Sequence, residues 1–269
     1  MEFSQELIRR SGYECEGFAA HYERFRPRTP RTLVETLCRL ARTDRPRLVV
    51  DLGSGTGLST RAWTDVAERV IGIEANPAMQ AVAQAQKQDP SIEYRHGFGH
   101  DTGLEDGSAD LVTCSQSLHW MEPEPTFAEA ARILRPGGVF AAYDYDVPPL
   151  VDAEVDEAFE ALLARRGQLR GARGIPQGAD MWPKEGHLER MRACGKFTYC
   201  RELVLHSVEE GNAEQLVGFA RSLGLPSVVD AENLERELRY EELETVAQRV
   251  LGDRKVPFHW GYRVRVGIV

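Results

Sequence analysis

Between residues 30 and 145, short apolar runs alternate with stretches in which apolar residues recur at helical spacing, and this alternation restricts the fold more than any other feature. Apolar runs that end in turn residues are typical of strands buried on both faces of a parallel sheet. Strands are predicted at 48–52, 70–74, 92–95, 110–114 and 139–143. Helices are predicted at 30–41, 59–68, 77–85 and 127–134. Such alternation predicts a doubly wound α/β sheet.

After Pro148-Pro149 the pattern changes, because longer helical stretches replace the short alternation. Apolar residues from Val151 to Leu163 lie on one helical face, and the stretch 165–174, rich in Arg and Gly, is predicted to be a mobile loop. Further elements are predicted as strand 197–207, helices 213–223 and 233–250, and strand 262–266. We therefore predict a mostly parallel, seven-stranded Rossmann-like sheet with a helical insertion and an antiparallel C-terminal strand.

Composition excludes several classes of protein. The 269 residues carry 33 basic against 42 acidic side chains, a net charge of −9, which disfavours binding to a phosphate backbone. The sequence contains no apolar stretch of the roughly 20 residues that a membrane span needs, and residues 1–10 do not resemble a signal peptide. Five scattered cysteines without a C-x-x-C pair favour reduced thiols, no metal site and a cytoplasmic protein.

A glycine-rich loop follows the first predicted strand. It contains Asp51 and then the pattern G-x-G-x-G, formed by Gly53, Gly55 and Gly57. Leu58 occupies the position where a dinucleotide fingerprint would need glycine. Glu74 ends the second strand 23 residues after Asp51, where its carboxylate can accept hydrogen bonds from both hydroxyls of a ribose. The combination of strand, loop, helix and terminal acid predicts a nucleoside site.

These residues resemble the class I S-adenosylmethionine-dependent methyltransferases. The resemblance covers residues 18–145 and includes the loop, Glu74, the segment 110–120, the run Leu134-Arg135-Pro136-Gly137-Gly138 and an N-terminal Tyr22-Glu23-Arg24-Phe25-Arg26-Pro27. It is nearest to the small-molecule subgroup that includes the ubiquinone-biosynthesis and trans-aconitate methyltransferases. The resemblance implies in-line displacement at the methyl group of S-adenosylmethionine, with S-adenosylhomocysteine as the product and a small molecule as the acceptor.

The resemblance also implies roles for individual residues. The loop amides would bind the donor's carboxylate, Asp51 its ammonium group and Glu74 its ribose. Backbone amides of Gly99 and His100 would hold adenine, although Phe98 stands where the family commonly has an acid. The full predicted donor site is Tyr22, Arg26, Asp51, Gly53, Ser54, Gly55, Gly57, Glu74, Ala75, Gly99, His100, Ser115 and Gln116.

His119 has two interpretations. It follows the fourth strand, at the sheet edge where α/β sites form, so it could act as a general base. Histidines in such loops more often pack beside a neighbour, here Trp120, and shape the cavity. Both interpretations stay open, because a base is needed only if the acceptor atom carries a proton.

Segments outside the donor-binding core also allow more than one interpretation. Tyr22 and Arg26 could close over the donor or belong to an ordinary amphipathic helix. The arginines between 165 and 173 could clamp an anionic acceptor, but such runs are more often solvated. We predict a single domain of residues 1–269, with a donor-binding core at 30–145, lid and acceptor elements at 1–29 and 151–255, and a final strand at 256–269.

Two other functions compete with methyl transfer. One is a non-catalytic module that binds the nucleoside, and the other is a nicotinamide-dependent oxidoreductase, which Leu58 and the lack of a Tyr-x-x-x-Lys pair disfavour. We expect no nucleic acid or membrane partner, and we leave a homo-oligomer open.

Overall fold

The computed structural model describes residues 17–172, 182–223 and 236–269. A seven-stranded sheet forms its centre, with the strand order β3-β2-β1-β4-β5-β7-β6. The strands are β1 Val49–Leu52, β2 Val70–Glu74, β3 Ile92–His96, β4 Ala109–Ser115, β5 Leu134–Tyr145, β6 Tyr199–Gly211 and β7 Val256–Ile268. The helices are α1 Phe18–Phe25, α2 Arg31–Leu40, α3 Pro77–Ala85, α4 Pro123–Ile133, α5 Ala153–Ala172, α6 His187–Ala193, α7 Ala213–Ser222 and α8 Tyr240–Val250.

Strand pairing confirms the predicted fold class. The strands β3, β2, β1, β4 and β5 are successively parallel, and β7 pairs antiparallel with β5. The strand order reverses between β1 and β4, so the carboxyl ends of these two strands border the crevice where open α/β sheets bind ligands.

Contacts within the chain separate two compact units. The sheet unit comprises residues 28–145, 182–205 and 262–269, and the helical unit comprises residues 17–27, 146–172, 206–223 and 236–261. The single domain of residues 1–269 stays a prediction, as does the lid assigned to 151–255.

The core of the sheet unit follows from the apolar strands. All four residues of β1 are buried, as are six of the seven residues of β4. Three rings pack against one another beside these strands: Phe140 stacks on Phe197 at 5.4 Å, and Phe127 meets Phe140 edge-on at 5.7 Å. Burial of this kind contributes about 25 cal/mol per Å² of apolar surface and is the main stabilising term for the sheet.

In the helical unit, α8 packs against both α5 and α7, and α7 packs against α1. The α1–α7 contact is close because Gly218 has no side chain: a Cβ there would lie 2.3 Å from the Phe25 ring. His21 also hydrogen-bonds the Gly218 carbonyl at 2.9 Å. Within the described parts of the chain, no helix is both long and apolar enough to cross a membrane.

Two predicted elements differ from the structure. The predicted helix 59–68 is reduced to a single 3-10 turn, Thr60–Trp63. Its hydroxyl side chains bond to Asp51 instead, and Asp65 adopts a left-handed φ of 62°, which stops a helix. The loop predicted at 165–174 was wrong for residues 165–172, which continue α5. Arg165 and Arg166 donate to the carbonyls of Leu238 and Leu223, and residues 173 and 174 lie outside the described ranges.

Two smaller predictions also need correction. Helical spacing predicts that Ala78, Val82 and Ala85 form one apolar stripe of α3, but Met79 and Ala83 are its buried residues. The run 135–138, which is typical of a helix stop, does follow the end of α4 at Ile133, but it lies inside β5 rather than before it, where the pairing shifts between Leu134 and Val139. Asn76 before Pro77 is a pattern typical of a helix start, and its side chain does cap α3, since it accepts hydrogen bonds from the amides of Ala78 and Met79.

Asp110 fixes β4 to the start of β1. Its carboxylate accepts hydrogen bonds from the amides of Arg47 and Leu48, at 2.7 and 3.2 Å, and from Arg135 Nε at 2.5 Å. Burial acts to raise the pKa of Asp110, but the hydrogen bonds from Arg135, Leu48 and Arg47 lower it overall. The ionised carboxylate therefore stabilises the folded state near neutral pH.

We predict that Asp110→Asn lowers the free energy of unfolding by about 1–3 kcal/mol, the scale of hydrogen bonds to a charged group. Urea titration at pH 7 measures this loss. Asp106→Asn is the matched control, because the Asp106 side chain is 81% exposed and should contribute little. Equal stability of the two variants would contradict the anchoring role.

Candidate active site

The buried carboxylate of Asp51 lies at the centre of the site. It is fully buried and accepts three hydroxyl hydrogen bonds, from Ser59 at 2.6 Å, Thr60 at 2.7 Å and Thr113 at 2.9 Å. Burial raises the pKa of Asp51, and the three hydroxyl groups oppose that rise. Asp51 thus ties β1 to β4 and to the turn after the glycine loop, and its contact with a donor ammonium group stays a prediction.

The glycine loop is a tight turn held by main-chain hydrogen bonds, both within the loop and to β2. The amides of Gly53 and Ser54 donate to the Ile73 carbonyl at 2.8 and 3.0 Å, and the Gly57 amide donates to the Ser54 carbonyl at 2.8 Å. Gly53 and Gly57 have φ of 66° and 84°, a region that favours glycine. A Cβ at Gly53 would lie 2.6 Å from Ser117 Cβ, and one at Gly57 would lie 2.1 Å from Tyr94 Oη.

Gly55 differs from the other two loop glycines. Its φ is 56°, yet a Cβ there would meet nothing closer than Met79 Cε at 3.5 Å. Its amide donates to Glu74 Oε2 at 2.7 Å, while Glu74 Oε1 accepts from the Asn76 amide at 2.7 Å. The structure therefore brings the middle of the loop and the acid at the end of β2 into direct contact.

The electrostatics of Glu74 follow from this position. Burial raises the pKa of Glu74, and the backbone N–H groups of Asn76, Gly55 and Ala75 act in the opposite direction. The charge of Asp51 adds to the rise. Glu74 thus places acceptor oxygens at the carboxyl end of β2. The amides that donate to these oxygens hold the carboxylate in one orientation.

The loop after β3 lies beside the glycine loop. Gly99 is buried, and a Cβ there would lie 2.8 Å from Met121 Sδ, while Met121 Cε would lie 2.7 Å from a Cβ at Gly53. Met121 therefore packs between the two loops. The exposed His100 stacks on Phe98, with ring centroids 5.6 Å apart. The predicted adenine contacts of Gly99 and His100 stay predictions.

The segment after β4 contacts the glycine loop from the other side. Ser117 Oγ donates to the Leu52 carbonyl at 2.7 Å. Gln116 has a left-handed φ of 51°, and its amide donates to the Tyr143 carbonyl at 3.0 Å. Ser115 ends β4, and the buried His119 lies in the 3-10 turn Leu118–Trp120 that follows.

An acid that the sequence analysis missed, Asp144, lies near His119. Asp144 is near the carboxyl end of β5, and its Oδ1 lies 3.0 Å from Lys184 Nζ and 3.9 Å from His119 Nδ1. Its Oδ2 accepts from Arg265 at 2.7 Å, and Lys184 also donates to Gln116 Oε1. The position of Asp144 at a strand end, like that of Glu74, is a signal that could have identified it. Lys184 begins the 3-10 turn Lys184–Gly186, which is too short for periodicity to give a signal.

Tyr22 and Arg26 belong to the helical unit. The Arg26 guanidinium lies 4.4 Å from the Tyr22 ring centroid and donates to the Ser222 carbonyl at 2.7 Å. Their closure over a donor stays a prediction. The proposed arginine clamp loses support, because Arg165 and Arg166 donate to main-chain carbonyls within the same unit.

Comparisons with known proteins agree with this geometry. Residues 50–142 match the methyltransferase domain family. An uncharacterised methyltransferase-like protein of Schizosaccharomyces pombe is 32% identical over 186 residues, which cover 67% of each chain. CRG1 of Saccharomyces cerevisiae, named a probable S-adenosylmethionine-dependent methyltransferase, is 32% identical over 139 residues, or 50% of this chain and 47% of CRG1. The chain thus matches about half the length of CRG1.

A solved structure extends the similarity over nearly the whole chain. A protein from Anaeromyxobacter dehalogenans, provisionally assigned as a type II methyltransferase, superposes with a TM-score of 0.67 and 26% identity. The match covers 91% of this chain and 98% of that protein. The chain belongs to the class I S-adenosylmethionine-dependent methyltransferases, which decides against the nicotinamide-dependent oxidoreductase.

The buried His187 generates a prediction about pH. It is fully buried, and burial lowers the pKa of His187 from 6.5 to about 4. The unfolded chain therefore binds a proton between these pH values that the folded chain does not, so stability falls as the pH falls through this range. We expect His187 to account for a loss of roughly 3 kcal/mol between pH 7 and pH 4.

Urea unfolding at pH 7, 5.5 and 4 gives the free energy of unfolding of the native protein and of His187→Gln. The contribution of His187 is the difference between the slopes of these two free energies against pH. His100→Gln is the control, since His100 is exposed. The pH slope should become smaller in His187→Gln and stay unchanged in His100→Gln. Identical slopes in all three proteins would refute the assignment.

Proposed function

We propose that this chain transfers the methyl group of S-adenosylmethionine to a small-molecule acceptor, with the donor held by the glycine loop and Glu74. Two observations at Gly55 carry the proposal together. Its amide donates to Glu74, and the space around its α-carbon has room for a side chain. Room at Gly55 allows a ligand to approach the backbone, and a directed carboxylate suits the two hydroxyls of a ribose.

The donor's chemical groups fit the residues present. S-adenosylmethionine carries no phosphate, and the residues from Gly53 to Gly57 include no lysine or arginine that would bind one. Glu74 supplies acceptor oxygens for the ribose, while Asp51, two residues before the first glycine of the loop and held by hydroxyl groups, is the carboxylate assigned to the ammonium group. When bound, S-adenosylmethionine supplies a methyl group already activated by its sulfonium.

The protein's contribution to the reaction is mainly positioning. Holding the acceptor atom, the methyl carbon and the sulfur in line supplies much of the rate. The glycine loop, Met121 and the 115–119 segment are fixed to one another by short contacts, so they can hold the donor without large rearrangement. His119 lies in the same segment and could remove a proton from the acceptor.

A small-molecule acceptor is supported by charge. The net charge of −9 opposes binding to nucleic acid, because affinity for a phosphate backbone depends on clustered basic residues. Lys184, with 35% of its side chain exposed, places a cation beside Gln116 at the edge of the site. The small-molecule subgroup suggested by the sequence agrees with both observations.

A non-catalytic nucleoside-binding module is the second candidate, because the same loop would bind the nucleoside in either case. Calorimetry with S-adenosylhomocysteine, followed by turnover of S-adenosylmethionine against a pool of metabolites, separates the two. Binding together with turnover supports the enzyme. Binding without turnover of any acceptor supports the module, and no binding refutes both.

We predict that Gly55→Val abolishes the binding of S-adenosylhomocysteine while the protein stays folded. A branched side chain would fill the space at the loop backbone, and the surrounding protein has room for it. Calorimetry measures binding, and circular dichroism checks the fold. Gly195→Val is the control, since Gly195 has a similar φ of +66° and open surroundings in a different part of the sheet unit. Normal binding by folded Gly55→Val would refute the site.

We predict that Glu74→Ala weakens the binding of S-adenosylhomocysteine by about 1.5–3 kcal/mol, the scale of hydrogen bonds to a charged group. Glu74→Gln should lose less, because its carbonyl oxygen still accepts one hydroxyl. Glu93→Ala serves as the control on the neighbouring strand, where Glu93 pairs with Arg69 and Arg95. An unchanged dissociation constant in Glu74→Ala would show that Glu74 only supports the turn.

A further inference from the structure

The carboxylate of Asp144 joins two cations and a histidine at the carboxyl end of β5. Asp144 is 7% exposed, and Arg265, which pairs with its Oδ2, is 3% exposed. The other oxygen, Oδ1, lies 3.0 Å from Lys184 Nζ and 3.9 Å from His119 Nδ1. A carboxylate between these groups interacts strongly with each of them, because little water screens the interaction.

His119 connects this cluster to the glycine loop. It lies two residues after Ser117, whose hydroxyl donates to the Leu52 carbonyl and whose Cβ would be 2.6 Å from a Cβ at Gly53. The His119 carbonyl accepts a hydrogen bond from the Trp182 amide at 2.8 Å. The main chain of His119 is therefore held in place beside the glycine loop.

Resting on the proposed function, we propose that Asp144 is a positioning residue that orients His119 through Nδ1, so that Nε2 is the base that deprotonates the acceptor. The distance of 3.9 Å is longer than a hydrogen bond, and such pairs commonly tighten only in the complex with substrate. Lys184 shares the same oxygen, so the carboxylate has a second partner until His119 turns to it.

The chemistry requires this tautomer. When Nδ1 carries the proton and donates it to Asp144, Nε2 keeps its lone pair. The acceptor's lone pair then forms the bond to the methyl carbon, the carbon–sulfur bond breaks with its electron pair on sulfur, and the acceptor's proton moves to Nε2. The resulting imidazolium is stabilised by the Asp144 carboxylate. Such a base serves acceptors whose attacking atom carries a proton, such as a hydroxyl or an amine.

Other charged groups surround the pair and affect its titration. Lys184 and Arg265 are positive, Glu202 accepts from Arg265 Nε at 2.8 Å, and the buried His187 lies close enough to interact with Asp144 and both cations. Arg263 also lies 3.9 Å from Glu202, and Arg190 acts on His187. Asp144 and Lys184 are thus the charged partners nearest to His119 among a larger set of mixed sign.

Nitrogen-15 NMR of the histidine rings, in the protein saturated with S-adenosylhomocysteine, tests this proposal. His119→Gln assigns the signals. In the native protein at neutral pH we expect Nδ1 to carry the proton and Nε2 to be unprotonated, whereas a histidine with only a packing role has no reason to leave the common Nε2–H form. Asp144→Asn should lower the pKa of His119 by about one pH unit and remove this tautomer preference.

Two further variants make the outcome decisive. Lys184→Met removes the cation that competes for Asp144, so it should raise the pKa of His119. Because the Lys184 side chain is partly exposed, this variant replaces Asp144→Asn if that variant fails to fold. Glu202→Gln, which removes a carboxylate paired with Arg265, should leave the His119 tautomer unchanged. An Nε2–H tautomer in the native complex, or the same tautomer in native protein and Asp144→Asn, would overturn the proposal.

Calorimetry on the same samples separates this proposal from the proposed function. Native protein and Asp144→Asn should bind S-adenosylhomocysteine with dissociation constants within about threefold of each other, because Asp144 is not assigned to the donor. Failure of the native protein to bind S-adenosylhomocysteine would refute the proposed function. Normal binding with the wrong tautomer would refute only the role of Asp144.

Discussion

The buried carboxylate of Asp51 is the interaction on which the geometry of the site depends. A carboxylate removed from water is costly unless hydrogen bonds satisfy it, and here three hydroxyl groups do so. Two of these hydroxyls come from the turn after the glycine loop and one from β4. Because each partner must stay in place to keep the charge satisfied, the loop cannot move away from the sheet without a large energetic cost. This requirement also explains why Ser59 and Thr60 form a short turn rather than the first residues of a long helix.

Three acids lie at or near the carboxyl ends of strands, and their partners give them different properties. Neutral hydroxyls surround Asp51, main-chain amides hold Glu74, and the cations of Arg265 and Lys184 flank Asp144. A carboxylate enclosed by hydroxyls is fixed in place, whereas each oxygen of one held by main-chain amides can accept a further hydrogen bond from a ligand. A carboxylate flanked by cations can exchange one partner for another. The three chemical environments therefore assign three separate tasks to the same functional group.

The sequence was sufficient to predict the sheet, because each buried strand is an apolar run bounded by turn residues, and β2 begins and ends as predicted. It was also sufficient to bring Gly55 and Glu74 together, since parallel strands end at one edge. It could not reveal that Arg165 and Arg166 continue a helix, because their partners, Leu223 and Leu238, are more than 50 residues away. The same limit hid the pairing of Asp144 with Lys184, because Lys184 lies 40 residues later in the chain. Local pattern predicts elements, whereas contacts between distant residues decide where an element ends and which charges meet.

The glycine pattern itself combines two separate requirements. Gly53 and Gly57 are required by packing as well as by their positive φ, because side chains there would collide with Ser117 and Tyr94 whether or not a ligand is present. Gly55 has no such neighbour, so its left-handed φ of 56°, rather than packing, favours glycine there. A G-x-G-x-G pattern could therefore arise from tight turns, and the pattern by itself is weak evidence of binding. What makes the site specific is that the loop glycine with open surroundings is also the one whose amide donates to Glu74. The functional information lies in this one contact between loop and strand end, since packing accounts for the other two glycines.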